Sequence, residues 1–203
     1  LDVMLIGVVG SHCAAAQKVF EKLSELSLVT NGIVQSPGRV TTVKKRFLAQ
    51  HQQLLRMDSE SSYVLTDAEW SQIQQHIRQN LSSQSMVLVS DYAKGVVTKE
   101  MMHFLCTVAR ERDCTIIVDP KGPDFKKYAG VDYIKPNAKE FAQMVSFFNL
   151  NQDASIEENA RKIIDLLSLR GMIITRGERG ISYVSTTEVI HLPAQTQDVY
   201  DLT

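Results

Sequence analysis

Short, nearly continuous apolar runs alternate with helical patterns along this chain. The runs Val3-Met4-Leu5-Ile6, Met86-Val87-Leu88-Val89, Thr115-Ile116-Ile117-Val118 and Met172-Ile173-Ile174-Thr175 predict strands buried on both faces. Between them, residues 67–81 place Trp70, Ile73, Ile77 and Leu81 on one helical stripe, opened by the capping-box spacing of Thr66-Asp67-Ala68-Glu69. A helix over 99–111 groups Met102, Leu105, Cys106 and Ala109, and one over 138–148 groups Phe141, Met144, Val145 and Phe148. Ser155-Ile156-Glu157-Glu158 opens a further helix with Ile156, Ala160, Ile163, Ile164 and Leu167 turned inward. Strand, helix and strand repeated in this way predict right-handed βαβ units. The fold class is α/β, a mostly parallel sheet with helices on both faces.

One stretch departs from this rhythm. From Arg39 to Asp58 the pattern is that of paired strands with much polar surface, punctuated at its start by Pro37 and Gly38. It reads as an antiparallel β flap over 39–58 beside the main body. No repeat, low-complexity linker or charge block divides the chain, so 1–203 is read as a single domain. The chain opens inside an apolar run at Leu1 and closes on Tyr200-Asp201-Leu202-Thr203, which predicts a domain incomplete at both ends.

Composition narrows the partners. Lys plus Arg is 22 and Asp plus Glu is 23, a formal net charge of −1, with 44% hydrophobic and 22% charged residues. That balance carries no electrostatic footprint for nucleic acid or an acidic membrane surface, and it excludes wholesale disorder. No apolar run has the length of a membrane span. The three cysteines, Cys13, Cys106 and Cys114, have no metal-ligand spacing and read as small core residues. The five histidines are scattered and form no ligand pair or hydrolytic triad. A reducing cytoplasm is the expected compartment.

In an open α/β sheet, ligands bind beyond the carboxyl ends of the strands. The chemistry-bearing residues follow the strand runs accordingly: Ser90-Asp91-Tyr92-Ala93-Lys94-Gly95, Asp119-Pro120-Lys121-Gly122, Lys135-Pro136-Asn137-Ala138-Lys139-Glu140 and Thr175-Arg176-Gly177-Glu178-Arg179-Gly180. Asn137 follows a proline and opens a helix, so it is a natural N-cap at a dipole end that suits phosphate. Lys139 and Glu140 on that first turn offer a phosphate-facing cation and a carboxylate for Mg²⁺, directly or through water. The same spacing also fits an ordinary cap with two solvated charges. Thr175, Gly177 and Gly180 permit close backbone approach to a phosphate, or equally a tight hairpin. A strand follows them, so they are no dinucleotide fingerprint, and no Walker-type Gly-Lys-Ser/Thr occurs. Asp91, Lys94, Asp119 and Lys121 suit an anionic sugar or a phosphoryl group, though each alone would pass as a surface loop charge.

Together, Lys135 to Glu140 followed by Thr175-x-Gly177-x-x-Gly180 resemble the nucleotide side of the ribokinase-like (phosphofructokinase B-type) sugar kinases. Within that family, Ser90 to Gly95, Asp119 to Gly122 and Thr41-Thr42-Val43-Lys44-x-Arg46 resemble the heptose 7-phosphate kinase branch, the kinase part of ADP-heptose synthase. Gln52-Gln53-Leu54-Leu55-Arg56-Met57-Asp58 and the closing Gln195 to Thr203 extend the likeness over almost the whole chain. The resemblance implies a three-layer α/β/α fold with a small β lid. It also implies ATP- and Mg²⁺-dependent phosphorylation of D-glycero-D-manno-heptose 7-phosphate at its anomeric hydroxyl, for ADP-heptose and lipopolysaccharide core.

By matching position, the resemblance assigns Asn137, Ala138, Lys139 and Glu140 to ATP phosphates and the metal's water shell. Thr175, Gly177 and Gly180 then line the nucleotide, while Asp91, Lys94, Asp119, Lys121, Lys44 and Arg46 face the sugar phosphate or transferring phosphoryl group. The flap implies a homodimer, and in some relatives a nucleotidyltransferase domain is fused to the kinase. The family's catalytic base lies in a Gly-Ala-Gly-Asp run after an Asp-x-Thr, so it is expected just beyond Thr203. No catalytic residue is assigned within the chain. Relatives usually carry an acid after Gly7-x-x-Gly10, where this chain has Ser11-His12. The alternatives are a non-catalytic nucleotide or sugar-phosphate binding module, and a family kinase for another phosphosugar.

Overall fold

The computed structural model describes residues 3–49, 52–83 and 85–194, so the closing Gln195 to Thr203 lies outside it. The chain divides into two compact units. One holds the residues up to Asn80 together with Lys94–Val96, and the other holds Leu81–Ala93 and the residues from Val97 onward.

In the first unit, β1 (Gly7–Gly10) and β2 (Ile33–Ser36) pair in parallel and are connected through α1 (Ala14–Glu25). The strand predicted at Val3–Ile6 is displaced: that segment contributes only a bridge from Met4 to Val29. Gly7 and Gly10 stand inside β1 itself, and a Cβ at Gly10, its last residue, would collide with the Arg39 carbonyl. Helix α1 carries little sequence signal. It buries only Ala16 and Leu23, and its N-cap is Cys13, whose sulfur accepts from the Ala16 amide. Cys13 is therefore a half-buried cap rather than core, whereas Cys106 and Cys114 are buried as expected.

Strands β3 (Val43–Ala49) and β4 (Gln52–Ser59) pair antiparallel, with a register shift between Phe47 and Leu48. Phe47, Leu48, Leu54, Leu55 and Met57 are all exposed on this ribbon. Helix α2 (Asp67–Asn80) buries Ile73 and Ile77. It is opened by a reciprocal pair in which Thr66 N donates to Glu69 Oε2 at 2.8 Å and Glu69 N donates to Thr66 Oγ1 at 3.3 Å.

The second unit is built on a six-stranded sheet in the order β10-β9-β8-β7-β6-β5. Strands β5 (Met86–Ser90), β6 (Thr115–Asp119), β7 (Tyr133–Ile134) and β8 (Gly171–Thr175) run parallel, while β9 (Ile181–Ser185) and β10 (Val189–Leu192) are antiparallel additions. Register aligns Val89, Val118, Ile134, Met172 and Val184 on one face, and each is buried. Helices α3 (Lys99–Glu111), α4 (Ala138–Phe147) and α5 (Ile156–Leu167) supply the apolar stripes for this core: Met102, Leu105 and Cys106; Phe141, Met144 and Val145; Ile163, Ile164 and Leu167. Met86 and Leu88, on the alternate side of β5, are 64% and 72% exposed, against the expectation of burial on both faces. A continuous apolar run records that a strand is buried, not which of its faces is covered.

The two sides of α5 make the packing testable. Ile163→Ala empties a fully buried site and is expected to cost about 2–5 kcal/mol. Leu166→Ala, on the exposed side of the same helix, is expected to stay within about 0.5 kcal/mol. Urea denaturation of the two variants checks the difference.

Candidate active site

The site begins where β7 stops. After Ile134 the chain runs through Lys135 and Pro136 to Asn137, which bridges in parallel to Thr175 at the end of β8, with Thr175 N donating to Pro136 O at 3.0 Å. The bridge sets the first turn of α4 beside the turn that follows β8. The two glycine- and asparagine-bearing motifs, distant in sequence, thus meet at one edge.

Asn137 is the N-cap of α4. Its Oδ1 accepts from Glu140 N at 2.9 Å, and Asn137 N donates to Glu140 Oε2 at 3.0 Å, a complete capping box. The first-turn amides of Ala138 and Lys139 have no intrahelical carbonyl to reach, so α4 presents donors and the positive end of its dipole there. Opposite them, β8 and β9 are joined by a short 3-10 turn, Gly177–Arg179. Gly177 has a φ of +60° and nothing within 4 Å of a Cβ, whereas a Cβ at Gly180 would strike the Leu192 carbonyl. Thr175 to Gly180 therefore form the tight hairpin, and its turn also lines a cleft. The cleft, about 1020 Å³, is walled by Asn137, Ala138, Lys139, Thr175, Gly177 and Gly180, and also by Arg176 and Leu192 to Ala194. Arg176 Nε is buried without a partner among the described residues. A triphosphate nucleotide fits this donor set: free helix-start amides and the Lys139 and Arg176 cations along one open cleft.

Next to the helix start lie two acid–base pairs. Lys121 Nζ is 2.9 Å from Glu140 Oε1, and Lys135 Nζ is 3.1 Å from Asp119 Oδ1. The Glu140 side chain is only 9% exposed, and the Lys121 side chain is 53% exposed. The hydrogen bond to Glu140 and its charge hold the Lys121 ammonium above its ordinary range. Glu140 offers Mg²⁺ one carboxylate, and that ion takes one or two carboxylates plus substrate phosphates and water.

Asp91 behaves differently from the expectation that it faces a ligand. Its side chain is 2% exposed and fully engaged. Lys127 Nζ lies 2.5 Å from Oδ2, the Tyr128 hydroxyl donates to Oδ2 at 2.6 Å, and Ala93 N donates to Oδ1 at 2.7 Å. Burial and the Asp91 carboxylate keep the Tyr128 phenol protonated far above its ordinary range. Tyr128 also accepts from the Lys121 amide at 2.9 Å, so the buried group holds the backbone of the lysine that pairs with Glu140. Lys127 and Tyr128 carry no motif, and the reading of the sequence does not reach them. Their signal is an aromatic in a 3-10 turn after Pro123, too common to single out.

Of the remaining predicted residues, Lys44, Arg46 and Lys94 belong to the first unit. Lys44 and Arg46 stand on β3 opposite Asp58 and Arg56. Lys94 Nζ is 2.5 Å from Glu60, and its carbonyl accepts from Arg39 at 2.9 Å.

A family model described as pfkB family carbohydrate kinase matches residues 1–203. The chain belongs to the pfkB family. Among curated relatives, a bifunctional protein HldE of Mesorhizobium japonicum is 34% identical over 97% of the chain and 39% of its own length. Another HldE, from Trichlorobacter lovleyi, is 34% identical over 91% of the chain and 38% of its own length. The pfkB chain therefore spans about two fifths of the length of these relatives. Phosphofructokinase-2 of Escherichia coli, solved in complex with potassium, superposes with a TM-score of 0.75 at 17% identity, covering 96% of this chain and 63% of that one. Ribokinase of Giardia lamblia gives 0.73 at 17% identity over 96% and 60%. These likenesses show the fold, which is ribokinase-like.

The contrast between the acids is measurable by thermal denaturation. Asp91→Ala strands the Lys127 ammonium in a dry site and is expected to cost about 3–5 kcal/mol. Asp119→Ala removes half of a solvated pair and is expected to cost no more than about 1 kcal/mol.

Proposed function

We propose that this pfkB chain carries the nucleotide side, and part of the phosphosugar side, of a kinase that phosphorylates D-glycero-D-manno-heptose 7-phosphate at its anomeric hydroxyl. The product is the 1,7-bisphosphate, on the way to ADP-heptose and lipopolysaccharide core. The juxtaposition of Asn137 with Thr175 carries the reading, because it turns two sequence motifs into one anion-binding cleft beside Glu140. ATP with Mg²⁺ supplies an activated phosphoryl group whose charge is partly neutralised before transfer.

The chain's own part is binding and electrostatics. The α4 amides, Lys139 and Arg176 hold phosphate oxygens, and the turn at Gly177 lets the nucleotide approach the backbone closely. Glu140 holds the metal directly or through its water. Lys121 and Asp119 face the transferring group, and Lys44, Arg46 and Lys94 serve the sugar phosphate. The proton of the acceptor hydroxyl is assigned to none of the described residues; the base is expected beyond Thr203.

The exposed apolar side chains of the β3–β4 ribbon support a homodimer formed through it, since an isolated two-stranded ribbon is marginal in water. The curated relatives are named bifunctional and are much longer, which supports fusion of this kinase to a second activity, a nucleotidyltransferase in this reading. The expected compartment is the cytoplasm.

Full-length protein supplied with ATP, Mg²⁺ and heptose 7-phosphate is expected to release ADP and form the bisphosphate. Turnover only with a different phosphosugar would reassign the substrate, and nucleotide binding without any turnover would make the chain a binding module. Asn137→Ala is expected to cost about 1 kcal/mol of stability. It and Glu140→Gln should each weaken use of the Mg²⁺–nucleotide by about 10–100-fold. Steady-state kinetics unchanged in both variants would remove the start of α4 from the nucleotide site.

A further inference from the structure

The Glu140 carboxylate is nearly buried and is satisfied twice, Oε2 by the Asn137 amide and Oε1 by the Lys121 ammonium. A buried carboxylate needs such a partner, so Oε1 has to be covered by some cation in every state of the protein. The backbone bond to Asn137 belongs to the helix cap and is permanent as long as α4 starts where it does. The ammonium is a different kind of partner. Its side chain is half exposed and flexible, while its backbone is fixed at the Tyr128 hydroxyl, within the dry Asp91–Lys127–Tyr128 group. Lys121 is a mobile head on an anchored base.

From this geometry we propose that Lys121 is an exchangeable counter-ion. It covers the outward oxygen of Glu140 while the site holds no metal, and it gives that oxygen up to the divalent cation that arrives with the nucleotide. The displaced ammonium then swings from Glu140 to the phosphate oxygens, with its backbone held in place. The charge on Glu140 is balanced before and after the exchange, and the phosphate gains a cation at the moment it enters. The neighbouring Lys135–Asp119 pair has the same composition but a different environment. Asp119 is 48% exposed, remains hydrated without its lysine, and does not require exchange. The proposal rests on the reading of Glu140 as the residue facing the metal.

The test uses Mn²⁺ alone as the probe, followed by electron paramagnetic resonance on the nucleotide-free protein. Lys121→Met uncovers Glu140 and is expected to raise Mn²⁺ affinity about tenfold over wild type, the value of one charge-assisted contact. Lys121→Arg, which keeps the counter-charge, should stay near wild type, and Lys121→Met combined with Glu140→Gln should lose the gain. Lys135→Met removes the same charge from the same strand ends and is expected to leave Mn²⁺ affinity within about twofold. An unchanged Mn²⁺ affinity in Lys121→Met, or an equal gain in Lys135→Met, would overturn the exchange. If wild type bound neither ATP nor its Mg²⁺ complex, the nucleotide reading would fail by itself, while the Mn²⁺ comparison would still decide the role of Lys121. The Lys121 head lies at the surface, and unchanged circular dichroism of each variant confirms that the fold is intact.

Discussion

The site depends on where one helix begins. Because β7 is only two residues long, the chain leaves the sheet at Ile134, and α4 can start at Asn137 alongside Thr175. The reciprocal bonds between Asn137 and Glu140 fix that start to within a residue. One residue earlier or later, the helix amides would rotate by about 100° and no longer face the turn after β8. Glu140 would leave Lys121 with them. A single local cap therefore positions the first-turn amides of α4 and the carboxylate that meets Lys121.

Around that cap the charges fall into two environments. Asp91, Lys127 and Tyr128 form a dry cluster with a structural role, tying the end of β5 to the 3-10 turn Lys126–Tyr128 and to the backbone of Lys121. Lys121, Asp119 and Lys135 stay half solvated and free to trade partners. Removing one member of the dry cluster attacks the fold. Removing one of the wet pairs costs the fold little. The Lys127 ammonium, 5.1 Å from the centre of the Tyr128 ring, adds a cation–π contact to the dry side.

Much of this is legible in the chain. The periodic helices 99–111, 138–148 and the one opened by Ser155 appear within a residue of their expected limits, because each combines an apolar stripe with a capping residue of strong preference. The Asn137 and Thr175 motifs are readable as partners because strands of a parallel sheet deliver their carboxyl ends to one edge. What escapes has weak or ambiguous local signal. Helix α1 is capped by a cysteine and buries little. Asp91 illustrates a deeper limit. An acid at the end of a strand reads the same whether it faces a ligand or a buried lysine, and only the position of Lys127 and Tyr128 in space decides between them.

The contact at Gly180 has a consequence for the shape of the cleft. At that position the backbone turns with a φ of +80°, and the carbonyl of Leu192 lies where a side chain would begin. Leu192, Pro193 and Ala194 are also the wall facing Asn137 and Lys139. The aperture is thus gauged by an absent methyl group at Gly180. A substitution there would act as a wedge, moving one wall outward while leaving every polar group of the site in its chemical place. Width and chemistry are separately adjustable in this cleft, and a single glycine is the set screw for the first.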